Sequence, residues 1–394
     1  MSDAMRLADR LDRVRASQTQ QVLVAVERLR QQGVEVIDLG AGEPDFPTPD
    51  HVKIAAAAAI EDNFTKYTAG AGIIGLREAI ATHYAERYGA AYDATGVVVT
   101  AGGKQALYNI AVALFGPGDE VITHVPGWPS IVEQVHLAGA EPVGVRTSAE
   151  EGFELRAESV LEALTPRTRG IVINSPANPT GAVMSETELH RLADGLGDRD
   201  VWVILDLCYE QLIYDDTPHN LPGVLRDRLG DRAVLVGSAS KSYAMTGWRC
   251  GWLLAPVAVA EAANAVQSHS TSHATSITQH ATLAALTGPQ ACVAAMRDEY
   301  RTRRDTLFDW MNSDARFQVV RPAGAFYLFP DVSELLSPDE RRTSADLALA
   351  LLNEAHVAVT PGEAFDAPGF IRVSYAASME QLREAWTRIQ QFLG

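Results

Sequence analysis

The chain has 394 residues, 47% of them hydrophobic, and 33 Lys plus Arg against 50 Asp plus Glu give a formal net charge of −17. That length supports a large core and two domains, or one domain with an appendage, and the acidic balance argues against nucleic acid or an anionic membrane surface as a partner. Ordinary numbers of glycine (30) and proline (19) exclude collagen-like and low-complexity classes. Cys208, Cys250 and Cys292 are odd in number and far apart, with no Cys/His spacing for zinc, and they fit a reducing compartment. Residues 1–10 lack an apolar stretch, so no signal peptide is expected, and no run approaches the length of a membrane span. A cytoplasmic location is expected.

Residues 1–32 have a helical pattern, with Val22, Leu23, Val26 and Leu29 at helical spacing and Gly33 as a stop. Val34–Leu39 alternates as a strand. Gly40-Ala-Gly-Glu-Pro-Asp-Phe46 then opens a loop whose glycines let backbone approach another group closely. A helix is predicted over 50–62. Lys66-Tyr67 and a glycine-rich loop follow, then a helix to about Tyr88. Gly96–Ala101 reads as a strand, and Gly102-Gly103-Lys104 begins the next helix. Strand, glycine pair and helix start form a recipe for a phosphate site, because free N–H groups point outward and the helix dipole favours an anion. Neither GxGxxG nor GxxxxGK[ST] is present, so a nucleotide fingerprint is absent.

Asp119–His124 is the next predicted strand, and Val125-Pro-Gly-Trp-Pro-Ser130 presents Trp128 rigidly between prolines. A strand over 141–145 follows. Arg169–Asn174 reads as buried, with Asn178 just after it in Ser175-Pro-Ala-Asn-Pro-Thr-Gly181, a turn sequence at a strand's carboxyl end. Val201–Leu205 is another buried strand. Asp206 at its end reads as a helix N-cap or as a carboxylate needing a cationic or hydrogen-bonded partner, with Tyr209 three residues on. Ala233–Gly237 leads into Ser238-Ala-Ser-Lys-Ser-Tyr-Ala-Met-Thr-Gly-Trp-Arg-Cys-Gly251. Lys241 therefore leaves a strand end, where α/β folds place their chemistry, and burial lowers a lysine's pKa toward imine formation. The repeated strand–helix units predict a mostly parallel sheet covered on both faces.

Residues 258–285 read as a long helix interrupted by a polar run, 267–273. His269 and His273 are spaced i, i+4 without an acidic companion, so no metal is expected. A long helix over 289–312, a strand with a glycine turn over 319–329, a helix over 344–355 and a strand and turn over 357–362 complete the pattern before Phe370–Tyr375. Arg372 sits in that last apolar strand. An unpaired arginine there would be costly, and its planar guanidinium suits a carboxylate.

The Ser-x-Ser-Lys-x5-Gly-x-Arg-x-Gly pattern over 238–251 resembles the pyridoxal-phosphate attachment site of the class I/II aminotransferases. The order Asn178, Asp206, Tyr209, Lys241, Arg249, Arg372 resembles that family over roughly residues 17–392, in particular its bacterial aspartate aminotransferase branch. The resemblance implies the aspartate aminotransferase-like α/β fold (fold type I): a mostly parallel large domain over 46–285 and a smaller α+β domain from 1–45 and 286–394. It implies pyridoxal 5′-phosphate held by Lys241, with Asp206 against the ring nitrogen, Asn178 and Tyr209 at the phenolic oxygen and Trp128 stacked on the ring. Gly103, Lys104, Ser238 and Arg249 would surround the phosphate. Tyr67 would reach the phosphate of a neighbouring subunit, which implies a homodimer with shared sites.

On the substrate side the resemblance places Arg372 on the α-carboxylate, with Gly42, Asn178 and Trp128 around the substrate and Thr19 and Lys104 on a side-chain carboxylate. Lys241, Asp206 and Tyr209 would be the catalytic group. The implied activity moves an amino group between an amino acid, aspartate or glutamate favoured, and a 2-oxo acid such as 2-oxoglutarate. Alternatives on the same scaffold are an aminotransferase for an aromatic, prephenate-like or specialised biosynthetic amino acid, and a pyridoxal-phosphate-dependent lyase or decarboxylase. A non-catalytic regulator is disfavoured, since the first 30 residues are too short for a basic helix-turn-helix. The chain departs from the family pattern at Gly127, where a tyrosine or another larger residue is common, at Leu207 and Cys208 between Asp206 and Tyr209, and at Cys250. The missing side chain at Gly127 is expected to leave room beside the ring.

Overall fold

The uninterrupted apolar runs come together as one seven-stranded sheet. The computed structural model describes residues 8–16, 18–337 and 342–394, with the side chains of 9, 10 and 18–20 outside that description. Its strands in chain order are β1 (Ile37–Asp38), β2 (Val97–Thr100), β3 (Glu120–Val125), β4 (Glu141–Arg146), β5 (Thr168–Asn174), β6 (Trp202–Asp206), β7 (Ala233–Ser238), β8 (Gly251–Leu254), β9 (Tyr327–Leu328), β10 (Val357–Ala358), β11 (Thr360–Pro361) and β12 (Ile371–Ser374). The large sheet has the order β2-β8-β7-β6-β5-β3-β4. Only β8 runs antiparallel to its neighbours, as the predicted α/β architecture requires.

Burial on both faces explains why these runs do not alternate with polar residues. Val97, Val99, Ile171, Ile173, Val203 and Leu205 pack into one apolar cluster with Leu76, Ile80 and Leu192 from helices on that side. Their neighbours Val98, Val172, Ile204 and Val234 pack into a second cluster with Ile110, Val135 and Ala263 on the other side. Six parallel strands then point their carboxyl ends at one edge. Register aligns them there: Asn174 lies opposite Asp206, and Gly251 opposite both Ser238 and Thr100. That edge is where open α/β sheets bind their ligands.

A second apolar core gathers Ile37, Leu39, Leu307, Met311, Val357, Ile371 and Val373. It holds the antiparallel sheet β11-β12-β9 and the parallel pair β1-β10.

Several predicted elements are shorter or broken. Of the single helix expected over 1–32, residues 1–7 and 17 lie outside the described residues, and the rest holds a 3-10 turn at Asp9–Arg13 and a helix at Gln18–Gln31. Val14 between them is extended (φ −95°, ψ 119°), and the Arg15 N–H donates to Glu133 Oε2 at 3.0 Å. The strand expected over 34–39 contracts to β1, because its partner β10 offers only two residues. The strand expected over 319–329 survives only as β9. Ala325 adopts φ +58°, which breaks the extended backbone, and its N–H donates to Leu212 O at 2.9 Å. The helix over 258–285 is interrupted at the polar run, as expected: Val257–Ser268 and Ser276–Thr287 are separate helices, with Ser272 between them at φ +64°. The helix over 344–355 is α-helical only at Ser344–Ala350 and continues as a π turn, Leu351–Ala355. No described helix is long and apolar enough to cross a membrane.

Close backbone approach at the functional edge requires glycine. A Cβ on Gly251 would lie 2.2 Å from Gly103 N and 2.5 Å from Gly102 C. Gly251→Ala must therefore push β8 away from the start of helix Gly103–Leu114. We expect it to lower stability by about 1–3 kcal/mol, the usual cost of overpacking a tight interior. Thermal or urea denaturation reads the change, and an unaltered midpoint would contradict the contact.

Candidate active site

Loops at the carboxyl edge enclose a cavity of about 360 Å³. Gly42, Gly103, Lys104, Trp128, Asn178, Asp206, Tyr209, Ser238, Lys241, Arg249 and Arg372 all line it, so the structure brings together eleven residues singled out from sequence. Tyr67 does not line it. That side chain is 91% exposed on the chain's own surface, with its ring edge-on to His273 at 5.6 Å. The Thr19 side chain lies outside the described residues.

Asp206 ends β6 with 1% exposure. Burial raises its pKa, and hydrogen bonds from Cys208 counter that rise. The Cys208 backbone N–H donates to Asp206 Oδ1 at 3.2 Å, and Asn174 Nδ2 donates to Oδ2 at 3.1 Å. Asp206 makes no ion pair with any described residue. A buried carboxylate left in this way calls for a cationic hydrogen-bond donor from a ligand.

Lys241 follows β7 on a short helical turn whose N-cap is Ser238. Burial pushes the amine down to about 8. Its Nζ donates to the Gly42 carbonyl and stands 5.9 Å from the centre of the Tyr209 ring. Asn178 Oδ1 accepts from Arg372 Nη1 at 2.9 Å, which leaves the Asn178 amide N–H groups free to donate into the cavity. Arg372 Nη2 donates to Gly40 O at 2.7 Å, while its Nε is buried without a partner. Gly40 is fixed in turn by its N–H donating to Asp38 Oδ1 at 2.9 Å.

This glycine strap is held at both ends. β1 pairs with β10 before it. After it, Asp45 accepts two hydrogen bonds from Arg303 Nη1, at 2.8 and 2.9 Å, and the Arg303 guanidinium lies 5.0 Å from the centre of the Phe46 ring.

At the other end of the cavity, helix Gly103–Leu114 begins with no side-chain cap. Its first N–H groups are therefore available to an anion. Arg249 reaches the same place from a left-handed backbone (φ +56°), donating to Thr246 O at 2.8 Å and Ala101 O at 3.2 Å. Ser238 Oγ and Ser240 Oγ lie 2.8 Å apart beside them. Lys104 Nζ points the other way, 5.1 Å from the centre of the Trp128 ring, and burial lowers its pKa.

His124, fully buried, ties the Trp128 loop to β5. Its Nδ1–H donates to Pro126 O at 2.9 Å and its Nε2 accepts from the Asn174 N–H at 3.4 Å. Gly127 does not open space beside the ring, contrary to expectation. A Cβ there would point at the His124 carbonyl oxygen, 2.3 Å away, so the glycine serves a tight backbone turn.

Sequence reasoning missed Asn174, Ser240 and Tyr327. Asn174 is the last residue of β5, and the strand-end logic that found Asp206 reaches it too. Ser240 stands in the lysine pattern, where the sequence alone assigns it no role. Tyr327 carries no local signal: its hydroxyl lies 2.8 Å from that of Tyr209, 118 residues away.

The donor set fits pyridoxal phosphate. A half-buried lysine would meet an aldehyde, a carboxylate without an ion-pair partner among the described residues would meet a ring nitrogen, and an uncapped helix start with an arginine would meet a phosphate. Such a lysine-bearing strand edge defines the class of α/β enzymes that hold this cofactor covalently.

Comparison with known proteins agrees. The family model for aminotransferase class I and II matches residues 34–389. The chain is 43% identical to an aspartate/prephenate aminotransferase of Cereibacter sphaeroides over 98% of both chains. It is 40% identical to an aspartate aminotransferase of Geobacillus stearothermophilus over 99% of both. The solved aspartate aminotransferase of Thermus thermophilus with maleate superposes with a TM-score of 0.93 at 41% identity, covering 99% of this chain and 100% of that one. The chain belongs to the class I and II aminotransferases. It is a pyridoxal-phosphate-dependent enzyme that moves an amino group between an amino acid and a 2-oxo acid.

The lowered pKa of Lys241 has a measurable sign. Only the neutral amine attacks an aldehyde, so cofactor capture by the apoenzyme should rise about tenfold per pH unit below the lysine's pKa and level off above it. The plateau is expected from about pH 8. Stopped-flow absorbance measures it, and a rate still climbing toward the ordinary lysine value of 10.5 would refute the shift.

Proposed function

We propose that this enzyme takes aspartate or glutamate as amino donor and 2-oxoglutarate or a similar oxo acid as acceptor. The carrying observation is a cation in the cavity beyond Lys241, Arg249 and Arg372: Lys104 Nζ lies over the Trp128 ring. Two cations suit a substrate with two carboxylates. The names of the relatives support this reading, as does the maleate, a four-carbon dicarboxylate, in the Thermus structure. A prephenate-like partner also carries two carboxylates, and Val22 and Leu23 give the cavity an apolar wall suited to its ring.

In this reading Arg372 receives the α-carboxylate, exchanging its Gly40 contact for a bidentate one. Lys104 receives the side-chain carboxylate, joined by Thr19. The cofactor, when bound, supplies an electron sink that acidifies the substrate Cα–H. Asp206 favours the protonated ring nitrogen. Asn178 and Tyr209 donate to the phenolic oxygen, and Trp128 covers the ring. Lys241 Nζ takes the proton from the substrate Cα and returns it on the cofactor side, serving as base and then acid. Gly103, Ser238 and Arg249 hold the phosphate. Tyr67, exposed on its own chain, serves the phosphate of a second copy in a homodimer. Residues 46–285 form the cofactor-bearing large domain, and 1–45 with 286–394 the small one. A cytoplasmic setting suits three free cysteines.

Three measurements test this. Mixing the holoenzyme with single amino acids and following loss of the Lys241-bound cofactor's absorbance should show fast conversion with aspartate and glutamate. Conversion confined to an unrelated donor would sink the assignment. Arg372→Ala should lower kcat/KM for every amino donor by about 10²–10³-fold while cofactor binding persists. Lys104→Met should cost about 10–100-fold with aspartate and glutamate but less than about threefold with alanine, and an equal loss with all three would remove Lys104 from the side-chain site.

A further inference from the structure

We infer that Tyr327 is a positioning residue that aims the Tyr209 hydroxyl proton at the cofactor's phenolic oxygen and ties that donor to Arg372. This rests on the place proposed above for Tyr209. The two hydroxyls lie 2.8 Å apart in a buried pocket, and neither has another hydrogen-bond partner among the described residues. Each phenol has one proton to give. If Tyr209 donates to Tyr327, nothing remains for the cofactor. If Tyr327 donates to Tyr209, the Tyr209 proton is left facing the cavity that both residues line. Burial raises the pKa of both phenols, so both keep their protons at neutral pH.

Geometry fixes Tyr327 tightly. Its side chain has no exposure, and the Arg372 guanidinium lies 4.4 Å from the centre of its ring. A Cβ on Gly42 would sit 3.2 Å from the Tyr327 hydroxyl, so the glycine strap passes close over the pair. One ring thus touches the proposed carboxylate anchor on its face and the proposed oxygen donor at its hydroxyl. Donation into Tyr209 also polarises that phenol and strengthens the bond it makes in turn.

The readout is the pH titration of the Lys241-bound cofactor's absorbance. Its midpoint reports the proton shared between the lysine nitrogen and the phenolic oxygen. A weaker donor leaves more negative charge on that oxygen, which then holds the proton more tightly. Tyr327→Phe keeps the ring under Arg372 and removes only the hydroxyl. We expect its midpoint to rise by about 0.5–1 pH unit, the worth of one hydrogen bond. In a Tyr209→Phe background the same change should shift the midpoint by less than about 0.2 unit, because its route of action is gone. KM for aspartate should stay within about threefold, since the face that Arg372 covers is retained.

An unchanged midpoint in Tyr327→Phe overturns the inference, and so does an equal shift in the Tyr209→Phe background. A wild-type protein without Lys241-dependent absorbance would overturn the reading of the site itself, and the inference with it.

Discussion

A buried carboxylate with no ion-pair partner among the described residues is the constraint on which the site depends. Asp206 sits at the end of a central strand, in a medium that penalises its charge, and two hydrogen bonds offset only part of that cost. One of them comes from Asn174, aligned with Asp206 by the β5–β6 register and itself accepting from the Asn178 N–H at 2.8 Å. The strands therefore deliver a negative charge at a fixed depth, flanked by amide donors. A heteroaromatic ring with a basic nitrogen on one edge and an oxygen on another answers that arrangement, and pyridoxal phosphate has both.

The rest of the cavity is cationic. Lys104, Lys241, Arg249 and Arg372 line one space in a chain whose net charge is −17. Asp38 and Glu43 also line it, but Asp38 is engaged with the Gly40 N–H and Glu43 accepts from Thr246 Oγ1 at 2.8 Å. The local field in the cleft draws anions inward. A phosphate-bearing cofactor and carboxylate-bearing substrates are both anions of the kind such a field favours.

What the sequence revealed, and what it did not, follows from length scales. Strands of four to seven residues, buried on both faces except at the edge strand β4, give largely apolar runs, so the large sheet was legible, and so were Asp206 at a strand end and Asn178 and Lys241 just beyond theirs. Strands of two residues, such as β1, β9 and β10, are too short for any period to register. The described part of the N-terminal helix is broken where the Arg15 N–H bonds to Glu133, on a helix 118 positions away. Gly127 was misread for a related reason: the clash that excludes a side chain comes from the backbone of His124, and only the folded turn shows it. Tyr327 belongs to the same class, since its meaning lies in a partner 118 residues away.

The glycine strap over the cavity is stretched between two anchors, the β1–β10 pair on one side and the Asp45–Arg303 clamp on the other. Glycines lose more conformational freedom on ordering than any other residue, so a slack loop of this composition would burden every binding event. Anchoring both ends makes folding bear that entropy once. The carbonyls of Gly40 and Gly42 are then pre-set against Arg372 and Lys241, and catalysis begins each cycle from a strap that has little disorder left to lose.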